Sequence, residues 1–460
     1  MSTSDGALPR SLAPTVSFRE AFWFWLKLGC IGFGGPAGQI AIMHQELVEK
    51  RRWISERRFL HALNFCMVLP GPEAQQLATY IGWLMHRTRG GIMAGSLFVL
   101  PSLLILIVLS WIYLTLGTQP VVAAVLYGIK PAVTAIVVFA AYRIGSRVLK
   151  NRVLWSIAAA AFVAVLVLRV PFPAIVIGAA VIGYLGSRWR PQWFMGSHPR
   201  GSAAAGDAGV AAIDDGTPTP IHARFDRKRL LRASIAGLAI WGTAMISLVA
   251  LSGWKGLLPA IGWFFTKAAL LTFGGAYAVL PYVYQGAVET YQWLTAAQMI
   301  DGLALGETTP GPLIMVVAFV GFIAGYEQSI LGSSWPPLLS GALAASIATF
   351  FTFLPSFLFI LIGGPVVETA HGEQRLIAPL TAITAAVVGV ILNLAVFFAL
   401  HVLWPTATAG RPFGGVFEWP SAVIAAAALA ALFTLKWSVV SVIGACALAG
   451  LAIRLLPGSL

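Results

Sequence analysis

Read as apolar and polar positions, the chain consists of long apolar runs separated by short polar stretches. Uninterrupted runs predict spanning helices at Ser96–Leu116, at Val121–Ile129 continuing through Pro131–Tyr142, and at Val153–Leu168, Phe172–Leu185 and Leu230–Leu251. Four more follow at Leu338–Ile362, Ile377–Leu400, Ser421–Leu435 and Trp437–Leu455. Lipid tolerates only helices or closed barrels, and alternating ten-residue barrel strands are absent. The expected class is an all-α polytopic membrane protein.

Four segments near the start behave differently. Ser17–Phe33 stops at Gly34-Gly35-Pro36, and Ala37–Glu49 ends in Lys50-Arg51-Arg52. Glu56–Leu69 stops at Pro70-Gly71-Pro72, and Glu73–Met85 ends in His86-Arg87-Thr88-Arg89. Each would be roughly 20–25 Å long at 1.5 Å per residue, short of the ~30 Å hydrocarbon core. Two readings are open: kinks in full spans, or re-entrant hairpins with tips at the Gly/Pro breaks. Basic ends on one side and breaks at depth favour the hairpins.

The pattern also repeats. A shift of 240 residues sets Lys27 on Lys267, Phe33-Gly34-Gly35 on Phe273-Gly274-Gly275, Trp53 on Trp293 and Pro70-Gly71-Pro72 on Pro310-Gly311-Pro312. The offset becomes 254 at Leu100-Pro101-Ser102 and Leu354-Pro355-Ser356, which requires an insertion near Tyr326 to Pro337, and 248 where Pro131 meets Pro379. The expected organisation is a cytoplasmic tail (1–16), a first transporter repeat (17–188), a polar cytoplasmic linker (189–229), a connecting transmembrane helix (230–252) and a second repeat (253–460). The tail lacks the apolar core and small-residue cleavage site of a signal peptide, so the first membrane segment is expected to direct insertion.

Composition removes the soluble alternatives. Hydrophobic residues make up 58% of the chain, charged residues only 10%, and the mean hydropathy is +0.83. A soluble fold needs roughly 25% charged residues. The net charge of +13 would suggest nucleic acid in a soluble protein, but here it reads as topology and no nucleic-acid partner is expected. With the N-terminus inside, four Lys/Arg (Arg169, Lys255, Arg411, Arg454) fall outside, three (Lys27, Lys130, Lys267) lie in membrane segments, and the other 23 of 30 mark the cytoplasmic face. The basic cluster Lys50-Arg51-Arg52 becomes Thr290-Tyr291-Gln292 in the second copy, which predicts that the second repeat is inverted. The unpaired helix at 230–252 supplies the odd crossing this requires. Inverted repeats with broken helices point to an alternating-access transporter with a midplane site.

A helix starting after a Gly/Pro break presents unpaired N–H groups and the positive end of its dipole. Four such starts, after Gly35, Pro72, Gly275 and Pro312, suit an anion; close helix packing by small residues is the structural alternative. Lys27 and Lys267 each precede a Gly-Gly tip by two turns, where a lone ammonium costs about 2.5–3.5 kcal/mol. Snorkelling to an interface is the alternative there. Lys130 has no repeat counterpart and is a weaker candidate, and Arg143 reads as an interfacial anchor. Glu73, Asp301 and Glu307 flank tips and could carry protons or pair with the lysines. Asn64 and Gln75-Gln76 could donate to an oxyanion. His44 and His61 read as surface residues. The three cysteines, Cys30, Cys66 and Cys446, form no disulfide or metal pattern. No nucleophilic triad or P-loop is present, so neither an enzyme nor a cofactor is expected.

At these motifs the sequence resembles the chromate ion transporter family in its long, two-domain form. The matching residues are Phe33-Gly34-Gly35-Pro36, Trp53-Ile54-Ser55, Pro70-Gly71-Pro72-Glu73, Phe273-Gly274-Gly275 and Thr309-Pro310-Gly311-Pro312. The resemblance covers both repeats. It implies a bacterial inner-membrane protein, embedded in lipid, that expels chromate and confers resistance, with the proton-motive force as energy source. The candidate substrate site is then Lys27, Gly34, Gly35, Pro36, Asn64, Pro70, Gly71, Pro72, Glu73, Lys267, Gly274, Gly275, Glu307, Pro310, Gly311 and Pro312. A sulfate or other oxyanion carrier or antiporter is the alternative, and a homodimer is compatible with the sequence. Ala276 and Leu313 depart from the motifs of the first half, so the two sets of tips are expected to contribute unequally.

Overall fold

The computed structural model describes residues 16–194, 212–213, 222, 226–273, 275–332, 334–369, 377–406 and 413–455. Gly274 and most of the expected linker and tail lie outside the described residues. Among the described residues there is no strand, only an isolated bridge between Ile54 and Ile213. Six of the helices are long and apolar enough to cross a membrane.

The apolar runs become helices, and glycine and proline end them where the pattern breaks. α1 (Phe18–Ile31) is capped by the Ser17 side chain and stops before Gly34 and Gly35, whose φ of 90° and 67° ordinary side chains rarely adopt. α2 (Gly35–His44) starts there with a proline in its first turn and runs into a π-turn at Gln45–Lys50. α3 (Glu56–Val68) is capped by Ser55 and stops before Gly71, at φ 126°. α4 (Glu73–Leu116) doubles back at His86 and Arg87, which leave helical geometry. Gly82 and Gly90 let its two limbs touch, since a β-carbon on Gly90 would meet the Gly82 carbonyl at 2.3 Å. The short segments end at the Gly/Pro breaks, α1, α2 and α3 all pack on α4, and the one long helix is itself a folded pair.

α5 (Pro120–Val148) runs through Pro131 without stopping, as the continuous apolar run there predicts. α6 (Arg152–Leu166), α7 (Phe172–Trp189) and α8 (Arg227–Ser252) complete the first part. The second comprises α9 (Leu257–Leu271), α10 (Ala276–Tyr284), α11 (Ala296–Thr308), α12 (Val316–Glu327), α13 (Pro337–Thr369), α14 (Ile377–Leu403), α15 (Trp419–Phe433) and α16 (Val439–Leu455).

Local irregularities recur 240 residues apart. A second π-turn occupies Gln285–Thr290, Gln292 repeats the positive φ of Arg52, and Thr295 caps α11 as Ser55 caps α3. The Trp53 N–H donates to Leu47 at 2.7 Å and the Trp293 N–H to Ala287 at 2.7 Å. The stretch between α12 and α13 lengthens the turn that His86 and Arg87 make in α4.

Two bodies result. One contains α1–α4 and α9–α13, joined where α4 packs on α13; the other is a bundle of α5–α7 with α14–α16. The bundle lies against α10 and α11, whereas α2 and α3 pack principally on α4. All of α10 is buried, but α2 buries only Gln39 and Met43. Gly34 at the first break is thus exposed, whereas Gly71 and Pro72 at the second are buried, as are Pro310, Gly311 and Pro312.

Candidate oxyanion site at the helix breaks

The four breaks meet between α4 and α13. The Gly71 N–H donates to the Thr272 carbonyl at 2.7 Å, and the Gly311 N–H donates to the Gly32 carbonyl at 2.9 Å. These bonds are one contact made twice, because Gly71 and Gly311, like Gly32 and Thr272, stand 240 residues apart. Each Pro-Gly-Pro break is thereby tied to the end of the helix preceding the other half's Gly-Gly. Gln39, buried on α2, clamps the arrangement: its Nε2 donates to the Gly32 carbonyl at 2.9 Å and also to the Gly311 carbonyl.

Two serines close the crossing. A β-carbon on Gly71 would lie 2.3 Å from Ser356 Oγ, and one on Gly311 would lie 3.1 Å from Ser102 Oγ. Ser102 and Ser356 are fully buried, and neither hydroxyl has a hydrogen-bond partner among the described residues. The Oε1 atoms of Gln39, Gln75 and Gln76 are likewise buried and unpaired, while Gln76 Nε2 donates to the Pro70 carbonyl at 2.7 Å. Buried polar atoms left unmade cost about 1–3 kcal/mol each. Such a concentration at one spot marks a place built for another polar partner.

Acidic groups border the crossing. Glu73 heads α4 beside the second Gly-Gly break, where a β-carbon on Gly275 would meet its Oε1 at 4.0 Å. Glu307, at the end of α11, accepts from the Tyr277 hydroxyl at 2.5 Å. The positive charges acting on them come from α5, Arg147 on Glu73 and Arg143 on Glu307. At the polar end of the first hairpin, the hydrogen bond from Lys50 at 2.7 Å holds the Glu46 carboxyl below its ordinary range.

The structure gathers Gly34, Gly35 and Pro36, Pro70 through Glu73, Gly275, and Glu307 with Pro310 through Pro312 around the crossing. It does not bring the lysines there. Lys27 lies on the exposed face of α1 with Trp23 and Cys30, and Lys267 lies over the Trp263 ring at 5.9 Å, directed away from the break. Asn64 is exposed on α3. The N–H groups of Gly71 and Gly311 are already engaged, so those two are not available to a ligand in this conformation. Gln39 escaped the sequence reading. Its only signal is a lone amide in an apolar run four residues after Gly35. Ser102 and Ser356 appeared only as a repeat match.

An all-α fold with apolar spanning-length helices, helices broken at Gly/Pro and a buried unsatisfied polar centre where the two halves of one body meet define a multi-pass membrane transporter. A family model described as chromate transporter matches residues 19–184 and 259–451. The chain belongs to that chromate transporter family, which is one of transporters rather than enzymes. It is 34% identical over 397 residues to a chromate transport protein of Pseudomonas aeruginosa, covering 85% of this chain and 83% of that one. A chromate transport protein of Cupriavidus metallidurans is 29% identical over 390 residues, 84% of each chain. A probable chromate transport protein of Synechococcus elongatus is 29% identical over 396 residues, covering 85% of this chain and 86% of that one. No solved structure matches. The bacterial relatives and the apolar helices mark a multi-pass bacterial membrane protein.

Proposed function

We propose that this protein exports chromate from the cytoplasm, with the dianion bound where the four breaks cross. The observation that carries the reading is the reciprocal pair Gly71–Thr272 and Gly311–Gly32 surrounded by unpaired Ser102 and Ser356 hydroxyls. Helix starts at Gly35, Glu73 and Ala276 aim backbone N–H groups and positive dipole ends at that point. Hydroxyls and N–H groups suit a tetrahedral oxyanion. Lys27 and Lys267 stand off the crossing, and in this reading they draw the dianion toward the breaks.

Access alternates as the α5–α7/α14–α16 bundle moves between two equivalent faces, the α10/α11 face it now covers and the α2/α3 face it leaves open. With the two repeats inverted, the present arrangement is open to the cytoplasm. Energetics favour this direction. A dianion leaving a negative interior gains about 4.6 kcal/mol per 100 mV, twice the ~2.3 per charge. Efflux can then run on membrane potential, and chromate resistance follows.

Labelled chromate should accumulate in energised everted vesicles, and competing sulfate should lower that accumulation. Sulfate accumulation without chromate accumulation would reassign the cargo.

A further inference from the structure

Away from the crossing, a cavity of about 670 Å³ opens between α4, α5, α11 and α16. Its walls carry Lys130, Arg454, Asp301, Tyr113, Tyr127 and Gln298. Asp301 is 3% exposed. Its Oδ2 lies 3.4 Å from the Lys130 ammonium and accepts the Tyr113 hydroxyl at 2.9 Å, while its Oδ1 is buried without a partner. A buried carboxylate oxygen in that position calls for another donor or a proton. The Arg454 guanidinium lies over the Tyr127 ring at 4.4 Å. The acids around the cavity's rim are already engaged: Glu418 accepts from the Tyr127 hydroxyl at 2.9 Å, and Glu327 from Gln298 at 3.1 Å.

We propose that this cavity is a second oxyanion site, in which a tetrahedral dianion and the Asp301 carboxylate compete for Lys130. The ligand class rests on the export reading above. While Asp301 is ionised it balances Lys130 and repels a dianion. When one proton passes from water to Oδ1, the acid becomes neutral, and Lys130 with Arg454 can take the anion. The proton returns to water as the anion leaves. The groups facing Asp301 are Tyr113 from α4, Lys130 and Tyr127 from α5, Glu327 through Gln298, and Arg454 from α16. Asp301 is the one among them whose proton decides the local charge. The pair also joins α5 of the bundle to α11 of the hairpins, so the arriving anion unties the face that is closed here. Its counterparts in the repeat are Ala378 and His61, so the tie exists on one face alone.

The test places a thiol in the cavity wall. Thr118→Cys, at the exposed turn lining the cavity, is made in a Cys30→Ser background, because Cys30 is the exposed native thiol. The purified full chain in detergent is reacted with a maleimide while sulfate replaces chloride at constant ionic strength. Sulfate is expected to slow modification, with the half-protecting concentration falling by up to about tenfold per pH unit on acidification, the slope of one linked proton. Lys130→Gln should raise that concentration at least about tenfold, and Asp301→Asn should lower it and flatten its pH dependence. Absence of protection, or protection unchanged in Lys130→Gln, overturns the proposal. Lys130→Gln/Asp301→Asn removes both charges without leaving one buried alone, so it stays readable if a single variant misfolds; retained protection there also overturns the proposal. Chromate export by the Thr118→Cys chain separates the two readings. Protection without export leaves the site and sinks the export reading, whereas export without protection sinks the site alone.

Discussion

At Gly71 a β-carbon would press on Ser356 Oγ at 2.3 Å and Gln76 Nε2 at 2.6 Å, and the φ of 126° already excludes most side chains. Gly35 is different. Its φ is 67° but nothing lies within 4 Å of an added carbon. Gly71→Ala should therefore cost about 1–3 kcal/mol of local strain and reduce chromate accumulation in everted vesicles by more than about tenfold. Gly35→Ala should give a folded protein that loses only the left-handed preference, about 1–2 kcal/mol. Equal damage from the two would argue against the crossing as the centre of function. Residue-scale legibility follows the same division. A glycine forced to positive φ leaves a mark in the sequence, and a mark repeated at one offset is readable. Gln39, Ser102 and Ser356 act on the other half of the chain, and no local pattern reveals what faces them. Lys27 shows the opposite limit: its spacing from Gly34 was legible, but the face of α1 that carries it was not.

Between helices, the informative contrast is between positions that the repeat makes equivalent and the packing makes different. Asn64 on α3 is exposed, and Ala304, its counterpart on α11, is 1% exposed under the bundle. In everted vesicles a thiol reagent should therefore label Asn64→Cys quickly and Ala304→Cys slowly, and mass spectrometry of the labelled protein would measure the ratio. Equal labelling would mean that the bundle does not favour one face. Helix existence and the hairpin breaks were visible because hydrophobic run length and Gly/Pro punctuation act locally. The continuity of α5 through Pro131 follows the expected run, and packing against α14, α15 and α16 outweighs the break that proline usually imposes. The seating of the bundle on α10 and α11 rather than on α2 and α3 was not visible, because it depends on contacts between elements distant in the chain.

Across the whole molecule, the reciprocal bonds make each half incomplete. Neither Gly71 nor Gly311 finds its acceptor within its own half. Severing the chain at residue 205, between the halves, should leave chromate export intact when both pieces are co-expressed and abolish it for either piece alone, as read by resistance and vesicle accumulation. Activity of one piece alone would refute the crossing as a joint site. The sequence indicated two homologous halves, but it could not show that each finishes the other.

That dependence also sets an order in time. A ribosome delivers the first half while the second does not yet exist, so the Gly71 N–H enters the membrane with its partner, the Thr272 carbonyl, unmade. Until α9 and Thr272 arrive, the newborn first half holds an unpaired backbone N–H, the condition lipid tolerates least. A chain that stops early is thus flawed in a way its surroundings can detect, and completion of synthesis is also the final step of folding.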